Sequence, residues 1–210
     1  MRISYILNIV LIIAVIALVT KMLFFNCDKT GEGGAYDNIM SRTSIRAYQD
    51  KPVEEEKVEK MLRAAMAAPT AGNKQPWRFV VIKEKETLKA ISDTFHTMRM
   101  AVQAPLAIVV CADMHDTFEE GGKEYWVQDA SAATENLLLA AHDMGLGAVW
   151  CGIYPMRERV QTLSAMLSLP SYIIPLNVVP IGYPAEDPTP KDKWKPENIH
   201  QEKWSDEAIP

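Results

Sequence analysis

Arg42, Ser44 and Arg46 stand two residues apart in the segment S-R-T-S-I-R-A-Y, residues 41–48. Side chains alternate along an extended chain, so the three share one face if this segment is a strand. Two guanidiniums and a hydroxyl on one face suit a phosphate or another anionic ligand. A solvated basic patch has the same pattern, and spacing alone does not separate the two. A second stretch is harder to ascribe to packing. Residues 69–79 read P-T-A-G-N-K-Q-P-W-R-F and lie between a helical and a strand pattern. Asn73 offers a donor and an acceptor on one carboxamide, although a plain turn also uses Asn. Third, residues 145–154 read G-L-G-A-V-W-C-G-I-Y. Gly147 and Gly152 permit close backbone approach to something flat, or serve packing only. This is no dinucleotide fingerprint, because the glycine spacing is wrong and no helix opens there.

Bulk composition narrows the chemistry. The chain has 210 residues, a net charge of −5 and 48% hydrophobic residues. That supports a genuine core, and the absence of a long Lys/Arg block argues against nucleic acid as a partner. The three cysteines (Cys27, Cys111, Cys151) form no CxxC, and no two of the four histidines have metal-ligand spacing. Neither a zinc site nor a disulfide framework is expected. Cys111 and Cys151 lie in apolar runs and read as small buried hydrophobes.

The elements that must position these residues follow from periodicity and punctuation. Residues 35–40 read as a short helix, and Asp50-Lys51-Pro52 as a turn. A helix over 53–68 has acidic residues in its first turn, favoured by the dipole, and an apolar stripe of Val58, Met61, Leu62, Ala65 and Met66. Pro69 stops it. Strands are predicted over 77–83 and 106–112, the second apolar almost throughout and hence central. A surface helix spans 84–96. Residues 113–123 form an irregular loop of a length often used as a lid. The longest helix, 124–144, is apolar nearly all round from Ala130 to Ala141, predicting burial on most sides and close approach of another helix at a subunit interface. Gln128, Glu135 and Asn136 then each need a partner. A turn and third strand fill 145–154, a helix 155–169, and a fourth strand 176–183, whose Pro180 predicts an edge position or a bulge. The tail, 184–210, carries Trp194, Ile199 and Trp204. Each Trp buries roughly 150–250 Å², so the tail is predicted to wrap a neighbouring subunit.

The N-terminus stands apart. Residues 3–20 are uncharged and mostly Ile, Leu, Val and Ala. As a helix, residues 3–25 would span roughly 35 Å, enough for a hydrocarbon core of ~30 Å. An uncleaved membrane anchor over 1–25 is expected, ahead of a cleaved signal peptide or a lipoprotein leader ending at Cys27. A linker covers 26–34 and one domain covers 35–210. The protein is then membrane-anchored, with an extracytoplasmic domain one of the two orientations.

Taken in order, these pieces resemble the FMN-dependent nitroreductase family. The resemblance rests on Arg42-x-Ser44-x-Arg46, on Pro69-Thr70-Ala71-Gly72-Asn73-x-Gln75-Pro76-Trp77-x-Phe79 and on the helix from Gln128 to Ala141. It continues through Gly145-Leu146-Gly147-x-x-Trp150, Ile181-Gly182-Tyr183-Pro184-Ala185-Glu186 and Pro190-Lys191-Asp192-Lys193-Trp194. The anchor is not part of the family pattern. The resemblance implies an α+β homodimer with a mostly antiparallel central sheet flanked by helices, the C-terminal segment exchanged between subunits, and FMN at the interface. By the same resemblance Arg42 and Ser44 hold the phosphate and ribityl end, and Arg46 lies beside flavin N1 and O2. Asn73 bonds the isoalloxazine edge, with Pro69, Thr70, Ala71 and Gly72 along the ring, from the partner chain. Cys151, Gly152 and Ile153 present backbone to N5. Lys191 and Lys193 sit at the phosphate, where Lys193 replaces an Arg common among relatives and loosens the grip. Gln128 joins the cofactor-binding set. No side chain is required as a catalytic acid, base or nucleophile. The implied activity is reduction of nitroaromatic, quinone or similar small-molecule acceptors by NAD(P)H through FMN. Reductive dehalogenation, flavin-dependent dehydrogenation and a non-enzymatic membrane electron relay are the alternatives.

Overall fold

The computed structural model describes residues 34–119, 121–187 and 189–204. The chain divides between Ser41 and Arg42, after the first short helix rather than before it. That helix, α1, covers Ala35–Ser41, and its Ser41 hydroxyl bonds the Asp37 carbonyl at 2.6 Å.

Beyond it, α2 covers Glu55–Met66. It begins later than the apolar pattern because Glu54 is still extended, with φ −64° and ψ 139°. Val58, Met61 and Ala65 form its buried stripe. On its outer face Glu56–Lys60 (2.8 Å) and Glu59–Arg63 (2.6 Å) pair one turn apart, each a modest gain for an exposed helix pair. Strand β1 is Trp77–Ile82, helix α3 Lys85–Thr94 and strand β2 Leu106–Asp113, with a 3-10 stretch over His96–Gln103 between the last two. The expected single helix over 84–96 therefore ends early and continues as a tighter turn.

Helix α4 is Tyr125–Asp143, β3 Gly147–Ala148, β4 Cys151–Gly152, α5 Arg157–Met166 and β5 Ile173–Gly182. All sheet pairings are antiparallel, in the order β1-β2-β5-β3, with β4 also on β5. Strand β2 is central, as its unbroken apolar run predicts. Its Leu106, Ile108, Val110 and Ala112 join the core under α2 and α4, while Ala107, Val109 and Cys111 join the core under α3 and α5. The architecture is α+β, an antiparallel sheet with helices on both faces.

Two expectations about elements are corrected. Pro180 is not on an edge strand: β5 lies inside the sheet, flanked by β2 on one side and β3 and β4 on the other. Proline is tolerated because it falls where β3 has ended and β4 has not begun, at a break in that ladder. The register shift lies instead beside Pro175, where β2 passes from Asn177 to Pro175 and skips Leu176. The freed Leu176 carbonyl accepts from both Ile153 and Tyr154 N–H at 3.0 Å. The third strand, expected as one piece, is two short ones with Val149 and Trp150 between them. Helix α4 is buried on most sides, as expected: from Ala130 to Ala141 only Glu135 is exposed. Trp126, Ala130, Ala133, Leu137 and Ala141 face the core, and Gln128, outside that span, is exposed.

The membrane anchor is corrected too. Among the described residues no helix is long and apolar enough to cross a membrane. The expected anchor over 1–25 lies outside the described residues, so membrane attachment and the localisation built on it are withdrawn.

Candidate functional site

The Arg42–Arg46 segment is extended but belongs to no strand. It is stitched beside β3 by a bridge between Ser44 and Ala148, and by Ile45 N–H donating to the Ala148 carbonyl at 3.1 Å. Ile45 points inward and is 5% exposed, which leaves its neighbours Ser44 and Arg46 nearer the surface, as alternation predicts. The inward side chain explains Gly147. A Cβ there would lie 2.6 Å from Ile45 Cβ, so this glycine serves packing. From the other side, Glu186 clamps the segment, accepting from Arg46 N–H at 2.6 Å and Ala47 N–H at 3.3 Å. Ala185 N–H bonds the Ala47 carbonyl at 2.9 Å. The buried Tyr48 hydroxyl lies 2.7 Å from the Ile45 carbonyl and 3.1 Å from that of Pro180. Burial pushes its phenol well above the usual range, so it serves as a neutral donor.

On this rigid segment the cations differ. Arg42 is 3.5 Å from Glu135 of α4. Arg46 is exposed, and among the described residues its guanidinium has no acidic partner; the Ser44 hydroxyl likewise has no hydrogen bond. Burial pushes the Cys151 thiol up to about 11, against the opposing pull of Arg46 and then Arg159. Arg46 is thus an electrostatic neighbour of β4. Cys151 and Ile153 are buried at 5% and 0% exposure. Between them Gly152 is only half-buried, and a Cβ built on it meets nothing within 4 Å. Its carbonyl is held by Arg159 Nη1 at 3.0 Å. The structure therefore sets Ser44 beside Ala148 of β3 and Arg46 within electrostatic reach of Cys151 in β4, next to the open backbone of Gly152, while Arg42 is turned to Glu135 of α4.

Pro69, Thr70, Ala71, Gly72 and Asn73 form a separate wall. Ala71–Asn73 is a 3-10 turn in which Gly72 (φ 56°) and Asn73 (φ 54°) are both left-handed, and Gln75 follows at φ 51°. Only Gly72 adopts this conformation without steric cost. A Cβ on it would also sit 2.7 Å from Phe118 Cζ, so the 113–123 loop is seated on this turn. The turn is tied to α4 by Ala71 N–H donating to the buried Asp129 carboxylate at 2.8 Å. Asn73 is exposed and its Oδ1 accepts from Gln75 Nε2 at 2.7 Å, leaving its amide donors available. Gln128, exposed, precedes Asp129. Lys191 and Lys193 are exposed on the tail, and no described contact joins them to either group.

Asp129, Glu186 and Phe118 were not singled out from sequence for these contacts. Asp129 could have been found: it is a carboxylate on the Trp126–Ala130–Ala133 stripe, where a buried charge needs donors. Glu186 had no local signal, because its partners lie 140 and 139 residues away.

Comparison with known proteins bears on what this arrangement serves. A model of the nitroreductase family matches residues 39–98 and 93–183. A provisionally named NADH dehydrogenase/NAD(P)H nitroreductase of Methanothermobacter thermautotrophicus is 44% identical over 176 residues, 84% of this chain and 91% of its own. A crystal structure of a like-named protein from Bacteroides thetaiotaomicron is 42% identical, with a TM-score of 0.77, over 82% of this chain and 99% of the other. A provisionally named nitroreductase from Desulfovibrio desulfuricans, solved in complex with FMN, is 29% identical with a TM-score of 0.71, over 83% and 99% of the two chains. The matched residues include the Arg42–Arg46 segment, the Pro69–Asn73 turn and the β3–β4 backbone, and on that ground the chain belongs to the nitroreductase family.

Proposed function

We propose that this chain, an FMN-dependent NAD(P)H oxidoreductase by its family, reduces nitroaromatic, quinone or similar small-molecule acceptors in a ping-pong cycle. The observation that carries the reading is an exposed Arg46 guanidinium within electrostatic reach of Cys151, where the next residue, Gly152, presents open backbone. A flat ring with a negative pole can lie against that backbone, where any side chain would intrude. When bound, FMN supplies the redox chemistry, accepting a hydride from NAD(P)H and passing it to the acceptor.

This chain's residues bind and orient. Arg42 and Ser44, joined by Lys191 and Lys193 of the tail, hold the phosphate and ribityl end. Arg46 supplies a guanidinium that favours negative charge at the pyrimidine edge. Asn73 offers its amide donors to the same edge, with Pro69, Thr70, Ala71 and Gly72 along the ring and Gln128 behind them. Cys151, Gly152 and Ile153 contribute backbone, not side-chain chemistry. Burial holds the Cys151 thiol neutral, so it is no nucleophile. The two walls meet α4 at different points, Glu135 and Asp129. Six residues along a helix is about 9 Å. In the proposed homodimer Pro69–Asn73 of one chain completes the partner's site.

The purified protein should be yellow and release FMN on denaturation. NAD(P)H should reduce a nitroarene or quinone through it with parallel-line kinetics. Arg46→Ala should lower the flavin's midpoint potential. A colourless protein that cannot be reconstituted with FMN, or an unchanged potential in the variant, would overturn the assignment.

A further inference from the structure

One cavity is lined by none of the residues just assigned. It occupies about 470 Å³ between the starts of α4, α5 and β5, a volume suited to a small ligand. Met114, Trp126, Tyr154 and Ile174 supply its apolar and aromatic lining, and Lys123 and Arg157 its cations. Trp126 is 3% exposed and meets Tyr154 edge to face, with ring centroids 4.7 Å apart and planes at 69°. These rings brace each other and give the cavity a preformed aromatic wall.

The polar groups are unevenly satisfied. Glu124 also lines the cavity, but its carboxylate accepts from the Tyr154 hydroxyl at 3.2 Å. Among the described residues neither Lys123 nor Arg157 has an acidic partner. Arg157 is the first residue of α5, where the helix dipole gives a cation no stabilisation. Its placement is therefore unexplained by the helix that carries it. Two unpaired cations against one engaged carboxylate leave the cavity net positive over an aromatic floor.

We propose that this cavity binds a small aromatic anion, a single ring bearing a carboxylate, separately from the flavin site. The ring covers Tyr154, which the buried Trp126 braces from behind, and the carboxylate is shared by Arg157, in the bidentate geometry guanidinium favours, and Lys123. A neutral ring leaves both cations unpaired, and an aliphatic acid leaves the aromatic wall poorly covered. None of Arg42, Ser44, Arg46 or residues 151–153 lines this cavity, so the inference does not rest on the flavin reading.

The test uses the FMN-loaded full chain and 4-hydroxybenzoate, which flavin enzymes of the proposed type do not reduce as they would a nitroarene or quinone. Titration calorimetry should give saturable binding of one molecule per chain. 4-Hydroxybenzamide and cyclohexanecarboxylate should each bind at least tenfold more weakly. Arg157→Ala and Lys123→Ala, both at exposed positions, should each weaken binding of the benzoate about tenfold, the scale of losing one charge-assisted hydrogen bond. The flavin absorbance should not shift on binding. Absence of saturable binding overturns the proposal. So does equal binding of the amide, or binding that shifts the flavin spectrum and survives Arg157→Ala, since the probe would then sit at the flavin.

Discussion

Gly147 and Gly152 are five residues apart and look alike in sequence, yet their surroundings differ. Alanine at 147 must displace Ile45, since its Cβ would be 2.6 Å from that side chain. Overpacking of this kind costs about 1–3 kcal/mol, so Gly147→Ala should lower the denaturant midpoint. Gly152→Ala meets open space and should leave stability within about 0.5 kcal/mol while weakening FMN binding several-fold in a fluorescence titration. Equal loss of stability in both variants would show that Gly152 is a packing position as well. The thiols give a pH dependence with a defined sign. Burial raises Cys111 to about 12 and Cys151 to about 11, from 9.0. The native state thus holds these protons where the unfolded chain has lost them, so stability is fully present below pH 9 and falls as pH climbs toward 11 to 12. Native protein at pH 8 should therefore resist alkylation at both positions, read by peptide mass spectrometry. Sequence showed that both cysteines are buried, because their runs are apolar. It could not separate the two glycines, because the atom that decides lies about a hundred residues away.

At the scale of elements, α4 joins the two walls. Asp129 holds the Ala71 amide at one point and Glu135 meets Arg42 at another. Asp129→Ala leaves a part-buried N–H without its acceptor, a loss of about 1–3 kcal/mol, and releases a turn that already carries left-handed Asn73 and Gln75. Denaturant unfolding should show the loss, and Asp129→Asn, which keeps an acceptor oxygen, should recover most of it. The existence, length and burial of α4 were legible, since apolar periodicity survives any context. What lies against its half-buried positions was not legible, because alanine and serine fit equally well under a sheet or against another subunit. Strand β5 makes the same point. Pro180 signals an edge, but the edge is local: a gap between β3 and β4 satisfies proline inside a sheet.

For the whole molecule, the decisive segment is the one that packs least. Trp194 is 71% and Trp204 77% exposed in the single chain. Two such rings facing water are a cost that burial against a second copy would remove, at roughly 25 cal/mol per Å². Sequence pointed to this from two tryptophans in a charged tail, but it could not say where the tail begins. The hydrogen bonds do. Tyr183, Pro184, Ala185 and Glu186 are fastened to residues 46–49 of their own chain, so they belong to the body of the domain. A cut after Pro184 would strip Glu186 from Arg46 and confuse loss of the site with loss of the dimer. A cut after Asp187 spares that clamp. The chain ending there should remain folded by circular dichroism yet sediment as a monomer. It should also lose FMN affinity, because Lys191, Lys193 and the partner's wall are all removed. If it sediments as a dimer with full FMN occupancy, the tail neither exchanges between subunits nor contributes its lysines, and the interface must be sought on the exposed face of α4 instead.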